Sequence, residues 1–439
     1  MDIRGDFRTY SKYVSLNVAG MIGTSVYILA DTLFVANGIG ETGIAALNLA
    51  LPIFSLIQGF SFMLGIGGAT WYSILRAQNK HEEATKSYTQ TLIFAGIISF
   101  LLVLVGLVGS GAITQLVGAD QETFSMTNTY IKVIMLFSPF FIFNNMFVAF
   151  IRNDRNPKLA MTAMLLGSLI NVIFDYIFIF PLEMGMFGAA LATSCAPILG
   201  LILMSFHFKR EENSLRLTKI KIKLSAFWTI IKLGISSFIT EMSSGIVMFI
   251  FNILILGIAG NVGVAAYGVI SNLAIIAIAI FTGVAQGIQP IISHIFGLRS
   301  STLLKRNLIY ALMTSLSISA LIYLVIGSGS EQLVSFFNRD NNPVLAEIAN
   351  EGMLIYFIGM FFAGFNIIAI ACLSAMDQAG LAFRFSIFRS IVLIIPISFV
   401  LANYFQLTGV WASFVIAEAI TSGLMIWQLY RVRKKLILP

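Results

Sequence analysis

Long, continuous apolar runs recur along the whole chain and are separated by short polar stretches. Runs such as Leu101–Gly109 and Leu273–Phe281 do not alternate between apolar and polar positions, which favours helices over the strands of a membrane barrel. Each of the runs is long enough to cross about 30 Å of hydrocarbon as a helix. The pattern predicts an all-α integral membrane protein with twelve transmembrane helices, whose cores are residues 13–36, 47–75, 88–109, 130–151, 159–181, 186–208, 227–257, 264–294, 307–327, 350–373, 383–405 and 409–430.

Composition supports this interpretation and excludes several classes of protein. Of the 439 residues, 58% are hydrophobic and 11% are charged, whereas soluble proteins carry about 25% charged residues. The apolar excess extends along the chain, which excludes a soluble enzyme with one membrane anchor. Cys195 and Cys372 lie inside apolar runs and have no disulfide or metal-ligand spacing. There is no glycine-rich phosphate loop, so the sequence predicts no ATP-driven step and no cofactor.

Positive charge falls on one side of the predicted membrane. Of the 27 Lys and Arg residues, 25 lie on the same side of the membrane as the N-terminus, either at the N-terminus itself or after the second, fourth, sixth, eighth, tenth or twelfth span. Only Lys132 and Arg339 fall on the other side. Because Lys and Arg are retained on the cytoplasmic side, both termini are predicted to be cytoplasmic. The formal net charge of +7 then follows from topology, and no nucleic-acid partner is expected.

The second half of the chain repeats features of the first. Three pairs of matching features are separated by 220, 223 and 221 residues, namely Gly40–Ala46 with Gly260–Ala266, Asp154 with Asp377, and Gly188 with Gly409. Because each half holds an even number of spans, both halves have the same orientation. The repeat therefore predicts two six-helix lobes related by a pseudo-two-fold axis along the membrane normal, with a cavity between them. We expect an N-lobe at residues 1–215, a C-lobe at 216–439, and a linker near 209–226.

Acidic residues inside membrane spans are costly and usually serve a function. Four such residues lie well within the predicted spans: Asp31, Asp175, Glu241 and Glu418. No buried base is an obvious partner, because Arg384 and Arg389 lie near the end of the eleventh span, where long side chains reach the membrane surface. An unpaired carboxylate in a low dielectric takes up a proton or holds a cation. Either behaviour suits coupling to an ion gradient.

The N-terminal half is richer in polar intramembrane groups. Tyr27 and Asp31 are four residues apart, as are Asn171 and Asp175, so each pair shares a helix face. Together with Asn145 and Thr193, these side chains supply the oxygen atoms that Na⁺ prefers. The alternative is that the amide and hydroxyl groups only join helices through hydrogen bonds.

The two remaining acids lie in the C-terminal half. Glu241 either contacts a cationic substrate, binds a second proton, or is a protonated carboxyl that bonds to the backbone. The role of Glu418 is left open.

Several stretches resemble the multidrug and toxic compound extrusion (MATE) transporters. They are the segment Phe150–Ala160 (FIRNDRNPKLA), the segment Asn171–Asp175 (NVIFD), Gly188–Thr193 (GAALAT) in the sixth span, and Tyr27–Val35 (YILADTLFV) in the first. The chain is similar to this family over essentially its whole length, and to the prokaryotic branch with DinF-like and MepA-like members. The resemblance implies an antiporter that exports cationic, amphipathic drugs in exchange for H⁺ or Na⁺.

The resemblance also implies a set of site residues. A proton or Na⁺ site in the N-lobe would comprise Asp31, Asn171, Asp175 and Thr193, together with the carbonyl group of Ala189. Tyr27, Asn145 and Glu241 match positions that line the substrate cavity. Residues 13–30 lack the proline that many members have in the first span, and the tenth span offers Asn366 instead of an acid. These departures argue against a proline hinge and against a Na⁺ site in the C-lobe.

Three classes of function are open to a membrane protein of this kind. The leading hypothesis is a monomeric multidrug antiporter of the bacterial cell (inner) membrane, whose partners are cationic drugs or dyes and the lipid bilayer. The alternative is a flippase for lipid-linked oligosaccharide precursors, from the same superfamily. Flippases of this kind place Arg or Lys in the central cavity, whereas this chain offers acids. A membrane enzyme would need a nucleophile with its base, or a metal site, and the sequence shows neither.

Overall fold

The computed structural model describes residues 6–338 and 342–436, apart from the side chains of residues 41, 429 and 432–436. Within these ranges the chain forms helices and no strand. A 3₁₀ turn spans Phe206–Lys209 and a π-helix spans Phe388–Leu393. The α-helices are α1 (Phe7–Gly38), α2 (Glu41–Ala77), α3 (His81–Leu116), α4 (Phe124–Leu136), α5 (Ser138–Asn153), α6 (Pro157–Ile179), α7 (Gly185–Ser205), α8 (Leu224–Gly297), α9 (Ser301–Phe337), α10 (Pro343–Tyr356), α11 (Gly359–Ala375), α12 (Ala379–Ile387) and α13 (Ile394–Leu436).

Two of the twelve spans are bent pairs of helices. Helices α4 and α5 meet at 50°, and α10 and α11 meet at 48°. Pro139 in the first turn of α5 has no N–H group for a continuous helix, which accounts for the first bend. The two bends occupy equivalent places in the two halves, in the fourth and the tenth span.

Two other helices each run on from one span into the next. At 74 residues, α8 would be about 110 Å long if it were straight, far more than a bilayer. Its backbone is left-handed at Gly260, with φ 62°, and the rings of Phe251 and Tyr267 lie 5.6 Å apart, so the chain reverses there. In α13 the same reversal occurs at Gln406, with φ 54°, and brings Gly409 against Leu401. The twelve predicted spans and the all-α fold are therefore confirmed.

Left-handed backbone positions repeat with the spacing of the sequence motifs. Four pairs of residues with positive φ are separated by 220 to 223 positions: Gly40 with Gly260, Asn79 with Arg299, Arg155 with Asp377, and Glu183 with Gln406. Each pair ends or begins equivalent spans in the two halves. This confirms the internal duplication that the sequence predicts, because tight turns of the same hand recur at matched positions.

Buried side chains form two hydrophobic cores. One core contains buried residues between 35 and 230. The other contains residues between 251 and 425 and also Tyr10, Tyr13 and Val14 from the first turns of α1. The beginning of α1 thus packs on the C-lobe, whereas the rest of α1 packs on α6 of the N-lobe. The boundary of the two lobes near residue 215 stays a prediction.

The lobes pack tightly at one end of the bundle, which we call the basic end because Arg76, Lys80 and Arg155 lie there. Glycines allow the helices to touch: a Cβ atom on Gly67 would collide with the backbone of Ile230, and one on Gly287 would lie 2.8 Å from Cα of Val14. Close approach of this kind lets dispersion forces hold membrane helices together.

Polar side chains also cross the seam between the lobes at the basic end. Buried Arg152 donates from Nη1 to Asn17 at 2.6 Å and to Gln286 at 3.0 Å. Gln289 donates to Thr70 at 2.8 Å. Arg152, which the sequence analysis counted among the basic loop residues, is therefore an interface residue with 1% exposure. Arg4, Arg339 and the side chains of Arg433, Lys434 and Lys435 lie outside the described residues.

Candidate functional site: buried carboxylates in the N-lobe

Close packing of α1 on α6 fixes the position of Asp31. A Cβ atom on Gly23 would lie 2.6 Å from a methyl group of Leu165, and one on Gly38 would collide with Ile179. These two contacts lie on either side of Asp31 along α1, so the helices cannot separate there. Asp31 is 7% exposed and lies in the middle of the contact.

Asn171 and Asp175 supply the polar groups of α6. Both side chains are fully buried, and they lie one helical turn apart on one face, as the sequence predicts. Both carboxylate oxygens of Asp175, both amide atoms of Asn171, and Oδ1 of Asp31 are buried and lack a hydrogen-bond partner among the described residues. Asp31 and Asp175 lie close enough for their charges to interact. Five buried polar atoms without a partner are unusual, because each carries a desolvation cost.

Thr193 and Ala189 lie on the neighbouring helix α7. The Thr193 hydroxyl donates to the carbonyl oxygen of Ala189 at 3.1 Å, and both residues are buried. The carbonyl group of Ala189 is thus already partly satisfied within its own helix.

Tyr130 in α4 is a site residue that the sequence analysis missed. Its hydroxyl lies near the hydroxyl of Thr193 and within electrostatic range of Asp31 and Asp175. It is 3% exposed. No spacing rule links a residue at the start of the fourth span to acids in the first and fifth, and only the folded bundle brings them together.

Tyr27 joins the carboxylates of the N-lobe to the acid of the C-lobe. Its hydroxyl lies within electrostatic reach of Asp31, Asp175 and Glu241. Glu241, in the first half of α8, is partly buried and has no hydrogen-bond partner among the described residues. Acids of both lobes therefore lie within electrostatic range of one tyrosine.

Asn145 makes a different contact. Its amide donates to Oε1 of Gln58 at 2.5 Å, which joins the bent fourth span to α2. This is the interhelical hydrogen bond that the sequence analysis weighed as the alternative for amide side chains.

Glu418 corrects an expectation from the sequence. Arg389 does not reach the membrane surface but pairs with Glu418 inside the C-lobe, with Nη2 and Nε at 2.6 and 3.0 Å from Oε1. Asn366 donates to the other carboxylate oxygen at 2.7 Å and accepts from Ser422 at 3.0 Å. Arg389 lies in the π-helix that precedes α13.

The N-lobe cluster suits small cations better than a transition metal. Among the described residues, no group of three or more His, Cys, Asp or Glu side chains could hold a metal ion. Two carboxylates beside an amide and hydroxyls supply hard oxygen ligands, which suit Na⁺, and each carboxylate also accepts a proton.

Comparison with known proteins identifies the family. The sequence model of the MatE family matches twice, over residues 18–177 and 235–400. The chain belongs to the MatE family. One matched segment lies in each half of the chain, which agrees with the repeat of left-handed positions described above. A MatE protein is a multi-pass membrane transporter and not an enzyme.

Curated relatives of this MatE chain are multidrug export proteins. It is 27% identical to the multidrug export protein MepA of Staphylococcus saprophyticus over 401 residues, covering 90% of this chain and 86% of that protein. It is 26% identical to MepA of Staphylococcus aureus strain MRSA252 over 425 residues, covering 95% and 92%.

Solved structures of MATE transporters share its fold. A MATE transporter in complex with MaL6 has a TM-score of 0.92 at 22% identity, covering 98% of this chain and 96% of that chain. An outward-facing multidrug resistance MATE transporter of the MOP superfamily has a TM-score of 0.91 at 23% identity, covering 99% and 97%. The predicted twelve-helix, two-lobe fold is confirmed.

Proposed function

We propose that this protein is a secondary antiporter that exports cationic, amphipathic compounds in exchange for H⁺ or Na⁺. The observation that carries the proposal is the group of buried, unpartnered polar atoms on Asp31, Asn171 and Asp175. A fold has no structural use for two adjacent carboxylates without donors, because their desolvation weakens it. A site that binds and releases a cation needs them in this form. The MepA relatives support multidrug compounds as the cargo.

Charge competition couples the two cargoes. With Asp31 and Asp175 ionised, the site attracts a lipophilic cation. A proton or Na⁺ at the same carboxylates cancels that attraction and favours release of the drug. Because the two ligands favour differently charged states, each lowers the apparent affinity for the other, and this reciprocal effect is what exchange requires.

The polarity of the seam favours cationic cargo over lipid-linked pyrophosphates. The hydroxyl of Tyr27 lies within electrostatic range of Asp31 and Asp175 in the N-lobe and of Glu241 in the C-lobe, so a cation bound near the seam would meet carboxylates of both lobes. Arg152, in contrast, is held by Asn17 and Gln286 at the basic end. A flippase of anionic lipid precursors would require the opposite distribution of charge.

We further propose that the basic end faces the cytoplasm of a bacterial cell, with both termini on that side, and that the protein acts as a monomer. Two exposed loop residues test the orientation. After Cys195 and Cys372 are replaced by alanine, a membrane-impermeant maleimide should label Gln121→Cys in intact cells. Gln78→Cys should react only after the cells are opened. The reverse pattern would overturn the orientation.

The function itself is tested in vesicles that contain the purified protein and a cationic dye. Dye transport is followed while a pH gradient or a Na⁺ gradient is imposed alone. One of the two gradients should drive the dye against its own concentration gradient, and the gradient that does so identifies the coupling ion. Asp377→Asn is the matched control, because Asp377 is an exposed acid far from the site. If neither gradient drives a cationic dye, the proposal fails, and labelled lipid-linked oligosaccharide then tests the flippase alternative.

A further inference from the structure

The linker between the sixth and seventh spans is bound to the N-lobe for most of its length. Residues 210–223 form neither helix nor strand, yet Asn213 and Leu215 are 6% and 3% exposed. Asn213 accepts from the backbone N–H of Leu215 at 2.9 Å, which tightens the turn. We call residues 206–218 the linker strap. A strap that buries its own side chains is a fixed part of one lobe and not a loose connection.

Asp154, at the C-terminal end of α5, is the centre of the attachment. Its Oδ2 atom accepts from the backbone N–H of Ser214 at 2.9 Å and contacts Nε2 of His207 at 2.9 Å. Tyr72 from α2 donates to its Oδ1 atom at 3.4 Å. Asn156 Nδ2, a donor, lies 3.3 Å from Nδ1 of His207. Because the Asn156 amide nitrogen can only donate, Nδ1 of His207 accepts from it and Nε2 donates to Asp154.

Two further contacts extend the attachment along the strap. Arg76 donates to the Ser214 hydroxyl at 3.0 Å. The backbone N–H of Thr218 donates to the Thr89 hydroxyl of α3 at 3.3 Å. The strap is therefore held by α2, α3 and the end of α5, all of which belong to the N-lobe.

The free part of the linker is consequently short. Only residues 219–223, with the sequence Lys-Ile-Lys-Ile-Lys, lie between Thr218 and the start of α8 at Leu224. Five extended residues reach about 17 Å. The equivalent turn of the C-lobe offers a contrast, since its acid, Asp377, corresponds to Arg155 and is exposed, with no side-chain hydrogen bond among the described residues.

We propose that Asp154 is a positioning residue that fixes the strap to the N-lobe and confines the hinge between the lobes to residues 219–223. This inference rests on the proposed function, because exchange requires the two lobes to move relative to each other. With the strap attached, movement at the basic end is guided by a tether of five residues. When the strap is released, the whole linker becomes the tether, and the movement of one lobe relative to the other is no longer restricted to one path.

A reporter cysteine in the strap tests the attachment without any transport. In a background that lacks Cys195 and Cys372, Leu215→Cys should react slowly with maleimide in the purified protein. Asp154→Asn should raise that rate by about tenfold, because a neutral amide accepts the hydrogen bonds from Ser214 and His207 more weakly than a carboxylate does. Asp377→Asn should leave the rate unchanged. An equal rate in the parent and in Asp154→Asn would overturn the attachment.

Transport assays then test the consequence. Asp154→Asn should slow dye exchange while the affinity for a cationic dye and its dependence on pH and Na⁺ stay the same, because Asp31 and Asp175 are untouched. If Asp154→Asn does not fold, Arg76→Ala removes one attachment without burying an orphaned group, and it should raise labelling by a smaller factor. Faster labelling with unchanged exchange would overturn the positioning role, and failure of exchange in the parent would count against the proposed function alone.

A pair of deletions separates the hinge from the strap. Removing residues 220 and 221 shortens the tether and should slow exchange. Removing the exposed pair Glu211 and Glu212, before the attachment at Ser214, should not. Equal effects of the two deletions would contradict a hinge confined to residues 219–223.

Discussion

The two lobes bury acids in opposite ways. In the N-lobe, Asp31 and Asp175 carry buried oxygens with no partner, whereas in the C-lobe Glu418 is paired with Arg389 and bonded to Asn366. A paired carboxylate has a fixed charge and a fixed geometry, which makes it a structural element. An unpartnered carboxylate can change its charge by taking up a proton or an ion. We therefore expect the acid of the C-lobe to be structural and the acids of the N-lobe to exchange ions.

The two lobes differ in their buried acids although they share the same backbone fold. The bends of 50° and 48° in the fourth and tenth spans occupy equivalent places, and the left-handed turns recur at matched positions. The buried acids do not recur: the positions of Asp31 and Asp175 have no acidic counterpart about 220 residues later. Backbone geometry is shared, and the chemistry of the interior is not.

The largest expected effect tests the N-lobe side of this comparison. Asp31→Asn and Asp175→Asn should each reduce gradient-driven dye efflux to the level of protein-free vesicles, because a neutral amide cannot exchange a proton or balance Na⁺. The double variant should be no worse than either single variant, since both residues serve one site. Near-normal efflux in either single variant would break the comparison. Gel filtration checks that the variants remain folded.

The next effect concerns stability in the C-lobe. Glu418→Gln should lower the free energy of unfolding by about 3–5 kcal/mol, because Arg389 is then buried without its counter-charge. Replacing both partners by methionine should restore most of the loss. Asp175→Asn should cost little, since it removes a desolvated charge that has no partner. Thermal unfolding in detergent measures all three, and a larger loss for Asp175→Asn than for Glu418→Gln would reverse the assignment of the lobes.

A third experiment follows drug binding to the purified protein. Affinity for a lipophilic cation should fall as the pH is lowered or as Na⁺ is raised, because either ligand neutralises the carboxylates that attract the drug. Asp31→Asn should flatten that dependence, and Glu418→Gln, if folded, should retain it. An affinity that is constant in both titrations of the parent protein would reject direct charge competition.

The smallest effect is expected at Tyr130. Tyr130→Phe removes a hydroxyl within reach of Thr193 and leaves the ring in place. A neutral hydrogen bond contributes about 0.5–1.5 kcal/mol, so the ion concentration for half-maximal transport should shift by roughly two- to twelve-fold. The maximal rate should be nearly unchanged. Tyr356→Phe, a buried tyrosine of the C-lobe, is the matched control and should not shift the ion dependence.

The sequence by itself determined the class, the number of spans and much of the candidate site. Continuous apolar runs that are long enough to cross a bilayer must form spanning helices, because in lipid the backbone must satisfy its own hydrogen bonds. The spacing of four between Asn171 and Asp175 placed both on one face, and the half-length offset indicated the duplication. These inferences depend on local periodicity and on the free-energy cost of burying charge in a membrane. Both can be read from the order of residues along the chain.

Only the tertiary structure decided which polar groups have partners. Arg389 and Glu418 are 29 residues apart, Arg152 lies 135 residues from Asn17, and Asp154 lies 60 residues from Ser214. No local pattern connects such residues, and a basic residue near the end of a span is consistent with a position at the membrane surface or in the interior. The partner of a buried charge is fixed by how helices pack, and packing alone distinguished the paired acid of the C-lobe from the unpartnered acids of the N-lobe.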